Sequence, residues 1–81
     1  MSDRIDYFMG QQLKNRRKEL KYSLQNVGDF MGTTKTTILN YEQGYTSMSI
    51  STIIKICGFL RLDYVQVIEN AKKEYYAEIS K

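Results

Sequence analysis

Apolar residues recur at helical spacing along almost the whole chain, and no stretch alternates apolar and polar residues with a period of two. In the first segment, residues 3–21, the repeating apolar positions are Ile5, Phe8, Met9, Leu13 and Leu20. Because an α-helix has about 3.6 residues per turn, this spacing gathers apolar side chains on one face. The pattern predicts a first helix, for which Ser2 or Asp3 is a suitable cap because its side-chain oxygen accepts hydrogen bonds from free amides.

Two short helices are predicted next, each preceded by a capping hydroxyl and followed by a glycine that can adopt a positive φ. They are LQNVGDFM at 24–31, between Ser23 and Gly32, and KTTILNYEQ at 35–43, between Thr33 or Thr34 and Gly44. The short turn containing Gly32 predicts a helix-turn-helix unit over residues 23–44, in which two helices cross steeply and nearly touch. Gly28 supports this prediction, since a helix-interior glycine costs about 1 kcal/mol relative to alanine and a close crossing accounts for it. The alternative is two ordinary antiparallel helices with an incidental glycine.

Two further helices complete the chain. The fourth carries Ile50, Ile53, Ile54, Cys57 and Leu60, and the fifth, spanning about 63–80 with Asp63 as its cap, carries Tyr64, Val65, Val67, Ile68, Ala71, Tyr75 and Ile79. Five helices in 81 residues predict an all-α fold, a single compact bundle over 1–81 with one modest core. Cys57 has two interpretations, a redox-sensitive thiol and a core residue, and its place on the apolar face of the fourth helix favours the core.

Composition narrows the class of protein. With 42% apolar and 26% charged residues, the chain is typical of a soluble globular domain. It contains no apolar run long enough to cross a membrane, and its first ten residues lack the apolar segment of a secretory signal. A single cysteine cannot form an internal disulfide, which is typical of a reducing compartment. We therefore expect a cytoplasmic protein with no membrane partner.

Catalytic chemistry is not expected. The chain has no histidine and one cysteine, so it cannot assemble a Cys/His zinc site or a nucleophile activated by histidine. Its nine acidic residues form no tight cluster that suggests a catalytic carboxylate pair. We expect no enzyme activity, no cofactor and no metal.

The net charge is only +3, but it is unevenly distributed. Residues 14–21, KNRRKELK, hold five cations against one acid, whereas residues 63–78 are acidic overall. Such asymmetry orients one face of a domain towards a polyanion, although a solvated charged helix has the same pattern. Charge alone does not decide between the two.

Three strings of sequence resemble a known family. They are GTTKTTILNYEQG at 32–44, LKNRRKEL at 13–20 and SISTIIKICGFL at 49–60. Segment 10–68 resembles the Cro/repressor-type helix-turn-helix family, also called the xenobiotic-response-element family, of phage, plasmid and bacterial regulators. The first string is similar to the turn, recognition helix and closing glycine of lambdoid phage repressor DNA-binding domains. The resemblance implies a sequence-specific transcriptional regulator that binds double-stranded DNA.

The resemblance makes the third helix a recognition helix, which lies in the major groove with its N-terminal residues at the base edges. Lys35, Thr36, Leu39 and Asn40 fall where relatives place base-contacting side chains. Lysine donates to guanine, asparagine pairs with adenine, and leucine meets a thymine methyl group. For Lys35 the alternative is an ordinary surface lysine, but a cation at a helix N-terminus opposes the helix dipole, which suits a residue chosen for its ligand.

The resemblance also implies contacts to the DNA backbone and positions that hold the fold. The phosphate-contacting candidates are Arg17, Ser23, Gln25, Thr34, Thr37, Gln43, Tyr45 and Thr46, and the structural candidates are Gly28, Gly32, Glu42 and Gly44. Relatives often pair an arginine at the position of Arg17 with a glutamate at that of Glu42. Such a pair would hold the first helix to the recognition helix while the arginine faces a phosphate.

Three positions depart from the family pattern. Leu24 stands where many relatives carry a DNA-contacting glutamine, and Gln25 follows it. Met48 stands in a loop that often contains proline. Arg61 stands where glycine usually ends the fourth helix, so we expect that cap to be made differently.

The C-terminal segment, residues 63–81, extends several turns beyond the usual short fifth helix. Its apolar residues are spaced by three or four, which gives a stripe too long for the small core to cover. One interpretation is a two-fold dimer interface, which would place two recognition helices about 34 Å apart and require a near-palindromic operator. The other is that the stripe folds back on Ile5, Phe8 and Met9 of the first helix.

We expect a dimeric repressor that blocks polymerase by occupying an operator, and the resemblance implies an origin in a phage, plasmid or other mobile element. No small-molecule ligand is expected, and an antagonist would be a protein. The alternative is an antitoxin-like or adaptor protein whose C-terminal helix binds a protein partner and whose DNA binding serves autoregulation. A nonspecific DNA compactor is a third alternative, which the low net charge weakens and which predicts binding that depends on salt but not on sequence.

Overall fold

The structure, a computed structural model, describes residues 4–80. These residues form five α-helices joined by short connections and contain no strand. The helices are α1 (Arg4–Glu19), α2 (Leu24–Met31), α3 (Lys35–Gln43), α4 (Ile50–Leu60) and α5 (Tyr64–Ile79). The predicted all-α fold is confirmed. Ser2 and Asp3, the predicted caps of the first helix, lie outside the described residues. Within the described part of the chain, no helix is both long and apolar enough to cross a membrane.

Side-chain caps begin α2 to α5. The caps are Ser23, Thr34 and Asp63, as predicted, and Ser49 in addition. Each accepts a hydrogen bond from a backbone N–H of the turn that follows, which satisfies one of the amides left unpaired at a helix start. The Asn26 Oδ1 in turn accepts a hydrogen bond from the Ser23 N–H at 2.8 Å. Because Ser23 and Asn26 bond each other in both directions, α2 begins with a capping box.

Helices α2, α3 and α4 all end in the left-handed backbone conformation, although only two of them end in glycine. Gly32 and Gly44 have φ of 72° and 75°, values that glycine adopts without steric cost. Arg61 after α4 has φ of 58°, and the Leu62 N–H bonds the Cys57 carbonyl at 2.8 Å, as after a glycine cap. The expectation that α4 is capped differently is therefore wrong. The geometry is the usual one, and the arginine bears a steric cost of about 1–2 kcal/mol.

The core is one cluster to which all five helices contribute. Its buried residues are Met9, Leu13, Val27, Ile38, Ile53, Ile56, Cys57, Leu60, Val67 and Ala71. Burial, helped by the nearby Asp63 carboxylate, raises the pKa of the Cys57 thiol to about 11. A thiol with this pKa stays protonated and unreactive at neutral pH, so the structure supports the core interpretation of Cys57 over the redox interpretation.

α5 folds back along α1, which is the second of the two arrangements expected for the C-terminal segment. The Gln12 side chain donates to the Val67 carbonyl at 2.8 Å and accepts from the Asn70 amide at 3.0 Å. Near the other end of the contact, the Arg4 guanidinium pairs with the Glu78 carboxylate at 3.2 Å. α1 covers only one side of α5. The apolar residues that stay exposed on α5 are Tyr64, Val65, Tyr76 and Ile79.

Three glycines allow backbones to approach more closely than a side chain would permit. A Cβ atom on Gly28 of α2 would lie 3.1 Å from backbone atoms of the following turn, so the close crossing inferred from this glycine is present. A Cβ on Gly10 of α1 would lie 2.5 Å from the Glu42 carbonyl oxygen of α3, and one on Gly44 would lie 2.7 Å from the Tyr7 Cα. α1 therefore packs against the backbone at the end of α3 and at the start of the loop that follows.

Two Gly→Ala substitutions inside helices are expected to change stability in opposite directions. Gly58 of α4 faces open space, with no atom within 4 Å of an added Cβ, so Gly58→Ala should raise the free energy of unfolding by about 1 kcal/mol. Gly10→Ala forces a methyl group into the α3 backbone and should lower that free energy by about 1–3 kcal/mol. Urea denaturation measures both variants, which carry the same chemical change. A stabilising Gly10→Ala would contradict the close contact between α1 and α3.

Candidate nucleic-acid interface

One face of α3 points away from the core and carries the residues predicted to contact bases. Successive residues of an α-helix are about 100° apart, so positions 35, 36, 39 and 40 lie within roughly 140° around the axis. Of these residues, Lys35, Thr36 and Leu39 are exposed and Asn40 is half-buried. Ile38 and Glu42 of the same helix are buried in the fold. The structure thus brings the four predicted residues together on one surface.

Threonine hydroxyls build the first turn of α3. The Thr34 Oγ1 accepts from the Thr37 N–H at 3.2 Å and lies 3.0 Å from the Thr37 hydroxyl. This cap satisfies one of the amides at the helix start, and the amides that remain, with the positive end of the helix dipole, favour an anion. Both threonines, predicted as phosphate contacts, therefore lie where a phosphate is best accommodated. Gln43, another predicted contact, is half-buried at the far end of α3.

The start of α2 presents two further phosphate candidates, Ser23 and Gln25. Both are exposed, but the Ser23 hydroxyl is engaged by its capping bond from the Asn26 N–H at 3.0 Å. The Gln25 amide donates to the Asp29 carboxylate at 2.7 Å, so a phosphate would compete with an acid for this donor. The phosphate contact of Gln25 stays a prediction.

A buried ion pair joins α1 to α3. The Arg17 guanidinium meets the Glu42 carboxylate with two bonds, Nε to Oε2 at 2.7 Å and Nη2 to Oε1 at 3.1 Å. Its Nη1 donates to the Tyr22 carbonyl at 2.9 Å. Glu42 is 2% and Arg17 9% exposed, and bidentate bonds between charged groups are among the strongest polar contacts in proteins. The pair inferred for these residues is present, but so little of Arg17 is exposed that its phosphate contact stays a prediction.

Not all cations of the basic segment 14–21 are free to bind a polyanion. Besides Arg17, Arg16 is also engaged, since its Nε donates to the Leu60 carbonyl at 2.9 Å and its Nη1 lies 3.5 Å from the Glu19 carboxylate. A cation at the C-terminal end of a helix, here α4, is favoured by the helix dipole. Two arginines of the basic segment therefore have roles inside the fold, which weakens its charge as evidence for a polyanion partner.

The loop between α3 and α4, residues 44–49, carries the last two phosphate candidates. Tyr45 is 73% exposed, and Thr46 is exposed as well. Two contacts from α1 hold the loop. Gly44 packs against the Tyr7 backbone, and the Ser47 hydroxyl donates to the Asp6 carboxylate at 2.5 Å.

Three residues of α1 support this interface without having been predicted: Asp6, Gly10 and Gln11. Gly10 had a detectable signal, because it is a helix-interior glycine like the one that identified the α2–α3 crossing. Gln11 donates its amide to the Glu42 carbonyl at 3.1 Å. Neither Gln11 nor Asp6 had a signal in the sequence, because a polar residue in a helix is ordinary until its tertiary partner is known.

The candidate interface is an exposed helix face. A groove of about 330 Å³ between the ends of α1 and α5 is lined by Arg4, Phe8, Glu74, Ala77 and Glu78, none of which is a DNA-contacting candidate. Among residues 4–80, no group of three His, Cys, Asp or Glu residues could hold a metal ion. An exposed helix face suits the major groove of DNA, which is about 12 Å wide and admits an α-helix.

Comparison with known proteins establishes the family. Residues 13–67 match the HTH_3 family model, described as helix-turn-helix. The match covers more than half of the chain, and the chain belongs to this family. The protein is a DNA-binding transcriptional regulator of the helix-turn-helix class.

Two solved structures have a similar fold, and both are crystal structures of the clp gene regulator ClgR from Corynebacterium glutamicum. One is 16% identical, covers 86% of this chain and 91% of that chain, and has a TM-score of 0.77. The other is 14% identical, covers 99% of this chain and 85% of that chain, and has a TM-score of 0.82. At such identities the similarity shows the fold alone. No curated protein matches the chain.

Removing one partner of the buried ion pair is expected to destabilise the fold more than replacing both. Arg17→Met or Glu42→Leu leaves a buried charge unpaired and should lower the free energy of unfolding by about 3–5 kcal/mol. The double variant, which leaves no charge unpaired, should lose less than either single variant. Urea denaturation measures all three. The control is Glu69→Gln, which removes an exposed pair with Lys72 at 3.5 Å and should cost less than about 1 kcal/mol. Additive losses at Arg17 and Glu42 would contradict the coupling.

Proposed function

We propose that this protein is a cytoplasmic repressor that binds double-stranded DNA sequence-specifically as a dimer. The observation that supports the proposal best is the outward face of α3, on which Lys35, Thr36, Leu39 and Asn40 stand together. Helix-turn-helix regulators insert such a face into the major groove, with the first residues of the helix at the base edges. Occupation of an operator that overlaps a promoter would block polymerase without any small-molecule ligand.

The four residues offer different contacts to base edges. Lys35, in the first turn, donates to guanine O6 or N7, and Asn40 pairs with N6 and N7 of adenine. Leu39 is 40% exposed, which is unfavourable in water and suits contact with a thymine methyl group. The Thr36 hydroxyl both donates and accepts. This combination discriminates among base pairs, whereas a surface of cations alone would bind any duplex.

Contacts to the DNA backbone surround this face in the proposed complex. They come from the helix starts at Ser23, Gln25, Thr34 and Thr37, from Gln43, and from Tyr45 and Thr46 of the following loop. Such contacts fix the register and orientation of a protein on the duplex without reading sequence. In the proposed complex, Arg17 holds α3 in place through its ion pair with Glu42. A phosphate contact by Arg17 is secondary to that role.

A second copy of the chain is proposed to pack against α5. Val65, Tyr76 and Ile79 lie on one side of this helix and are 52%, 56% and 59% exposed, whereas α1 covers another side. Because a two-fold axis brings the same surface of both chains together, one apolar helix face supplies both halves of an interface. Such a dimer would place its two α3 helices about 34 Å apart and select a near-palindromic operator.

Lys35→Ala and Asn40→Ala are each expected to relax base preference at one position per half-site, at a cost of about 1–3 kcal/mol. The measurement is selection of bound duplexes from a randomised pool near physiological salt, followed by sequencing. The wild type should enrich an inverted repeat with one-turn spacing of its half-sites. Lys73→Ala and Asn15→Ala are matched controls, because they remove the same side chains from exposed positions on α5 and α1, and they should keep the wild-type preference.

The selection also has outcomes that reject the proposal. Unchanged preference and affinity in both α3 variants would mean that α3 does not read bases. No enrichment by the wild type, despite measurable binding at low salt, would reject sequence-specific repression. The antitoxin-like or adaptor alternative, in which α5 holds a different protein, would then be favoured if a stoichiometric partner co-purifies from the native host.

Introducing two lysines on the exposed face of α5 is expected to convert the proposed dimer into monomers. Tyr76→Lys combined with Ile79→Lys buries unpaired charges at the proposed two-fold axis and should weaken dimerisation about 100-fold or more. Analytical ultracentrifugation at micromolar concentration measures the change. Ile54→Lys is the control, because it places the same charge at an exposed apolar position on α4 and should leave the dimer intact. If the double variant stays dimeric, or if Ile54→Lys separates the copies, the interface is not on α5.

A further inference from the structure

The N-terminal half of α1 holds the loop that follows the recognition helix. This half, residues 4–12, precedes the segment matched by the family model. Its contacts with the loop are the close approach of Tyr7 to Gly44 and the hydrogen bond from the Ser47 hydroxyl to the Asp6 carboxylate at 2.5 Å. The hydrogen bond joins residues 41 positions apart, so it is a tertiary contact and not a local cap.

Asp6 is buried in a way that helix formation does not explain. It is only 8% exposed, and no Lys or Arg among residues 4–80 lies within ion-pair distance of it. An acid in a first helical turn is favoured by the helix dipole, but it has the same benefit when it faces solvent. Burying a carboxylate is costly unless hydrogen bonds compensate. The short bond from Ser47 is such a compensating contact, since a hydroxyl binds a charged acceptor strongly.

Ser47 lies directly after the two exposed residues of the loop, Tyr45 and Thr46. The loop begins at Gly44, which contacts α1, and it ends at Ser49, whose hydroxyl caps α4 by accepting from the Thr52 N–H at 3.2 Å. Between these two ends, the bond to Asp6 is the one side-chain hydrogen bond that ties described loop residues to another helix. Besides this bond, the Tyr45 N–H bonds the Asn40 carbonyl at 2.9 Å and Met48 packs against the core, so the side-chain bond from Ser47 is the contact that holds the segment between them.

We propose that Asp6 is a positioning residue for DNA binding, which acts through the Ser47 hydroxyl to hold Tyr45 and Thr46 where they meet the DNA backbone. This inference rests on the proposed function. Asp6 does not touch DNA, and its negative charge by itself opposes phosphate binding. Its benefit comes from ordering the loop before binding, because a mobile loop loses conformational entropy when DNA immobilises it.

The direction of the change in DNA affinity distinguishes a positioning role of Asp6 from a purely electrostatic one. Asp6→Asn and Glu74→Gln each remove one negative charge with little change in shape, and each raises the net charge of +3 by one. Glu74 is exposed on α5, so Glu74→Gln should leave DNA affinity unchanged or slightly tighter. Asp6→Asn should instead weaken affinity by about 3- to 10-fold, since it removes the charged acceptor of the Ser47 bond.

Ser47 variants test the same contact from the loop side. Ser47→Ala should weaken binding by about the same factor, and Ser47→Thr, which keeps a hydroxyl, should restore it. Asp6→Asn combined with Ser47→Ala should bind no worse than the weaker single variant, because both changes remove one interaction. The loss should be equal on the selected operator and on random duplexes, since backbone contacts carry no sequence information. Amide hydrogen exchange at residues 45–47 of the free protein should be faster in Ser47→Ala.

Affinities are compared per folded molecule, with the folded fraction of each variant taken from its urea denaturation curve. A purely structural role would lower stability without changing the affinity of folded molecules, and that result would overturn the proposal. Tighter binding by Asp6→Asn, as for Glu74→Gln, or additive losses in the double variant, would also overturn it. If Asp6→Asn does not fold, the comparison of Ser47→Ala with Ser47→Thr tests the same contact. Both of these changes are made at an exposed position.

The experiments distinguish an error in the proposed function from an error in the positioning role of Asp6. A wild type that enriches no DNA sequence rejects sequence-specific repression, whatever the Asp6 variants do. A wild type that enriches an operator, with Asp6→Asn and Ser47→Ala binding it as tightly, rejects only the positioning role.

Discussion

The contact between α1 and α3 is the constraint on which the rest of the structure depends. A helix of nine residues is too short to be stable alone in water, so α3 must be held by its neighbours. Gly10 lets α1 approach the α3 backbone, and the Arg17–Glu42 pair ties the two helices together where little water enters. These contacts all use the inward sides of α3. Its outward face is therefore left without an internal role and is available for a ligand.

The same helix α1 also organises the other surfaces of the protein. Gln12 binds both a backbone carbonyl and a side chain of α5, while Asp6 and Tyr7 contact the loop after α3. The loop, α3 and α5 are thus all held against one helix. In the proposed dimer this arrangement has a functional consequence, because the spacing of two half-sites on DNA requires a fixed relation between the dimer interface and the recognition helix.

Local signals predicted the helices well, because caps and apolar periodicity act over a few residues. Ser23 and Thr34 begin their helices, and Gly32 and Gly44 end theirs, as the sequence indicated. Arg61 shows where local reasoning fails. The sequence indicated a different cap for α4, but the chain adopts the left-handed conformation there without glycine. A steric cost of about 1–2 kcal/mol at one residue is small beside the burial of α4 and α5 that the turn makes possible.

By itself, the sequence determined five helices, their order and the helix-turn-helix unit, because caps and apolar spacing depend on residues within about one or two helical turns of one another. The residues expected on the outward face of α3 followed from the resemblance to a family. Only the tertiary structure decided that α5 packs along α1, that Arg16 and Arg17 turn inward, and that Asp6 reaches Ser47. These contacts join residues far apart in the chain, and their distances are set only when the helices pack around a common core.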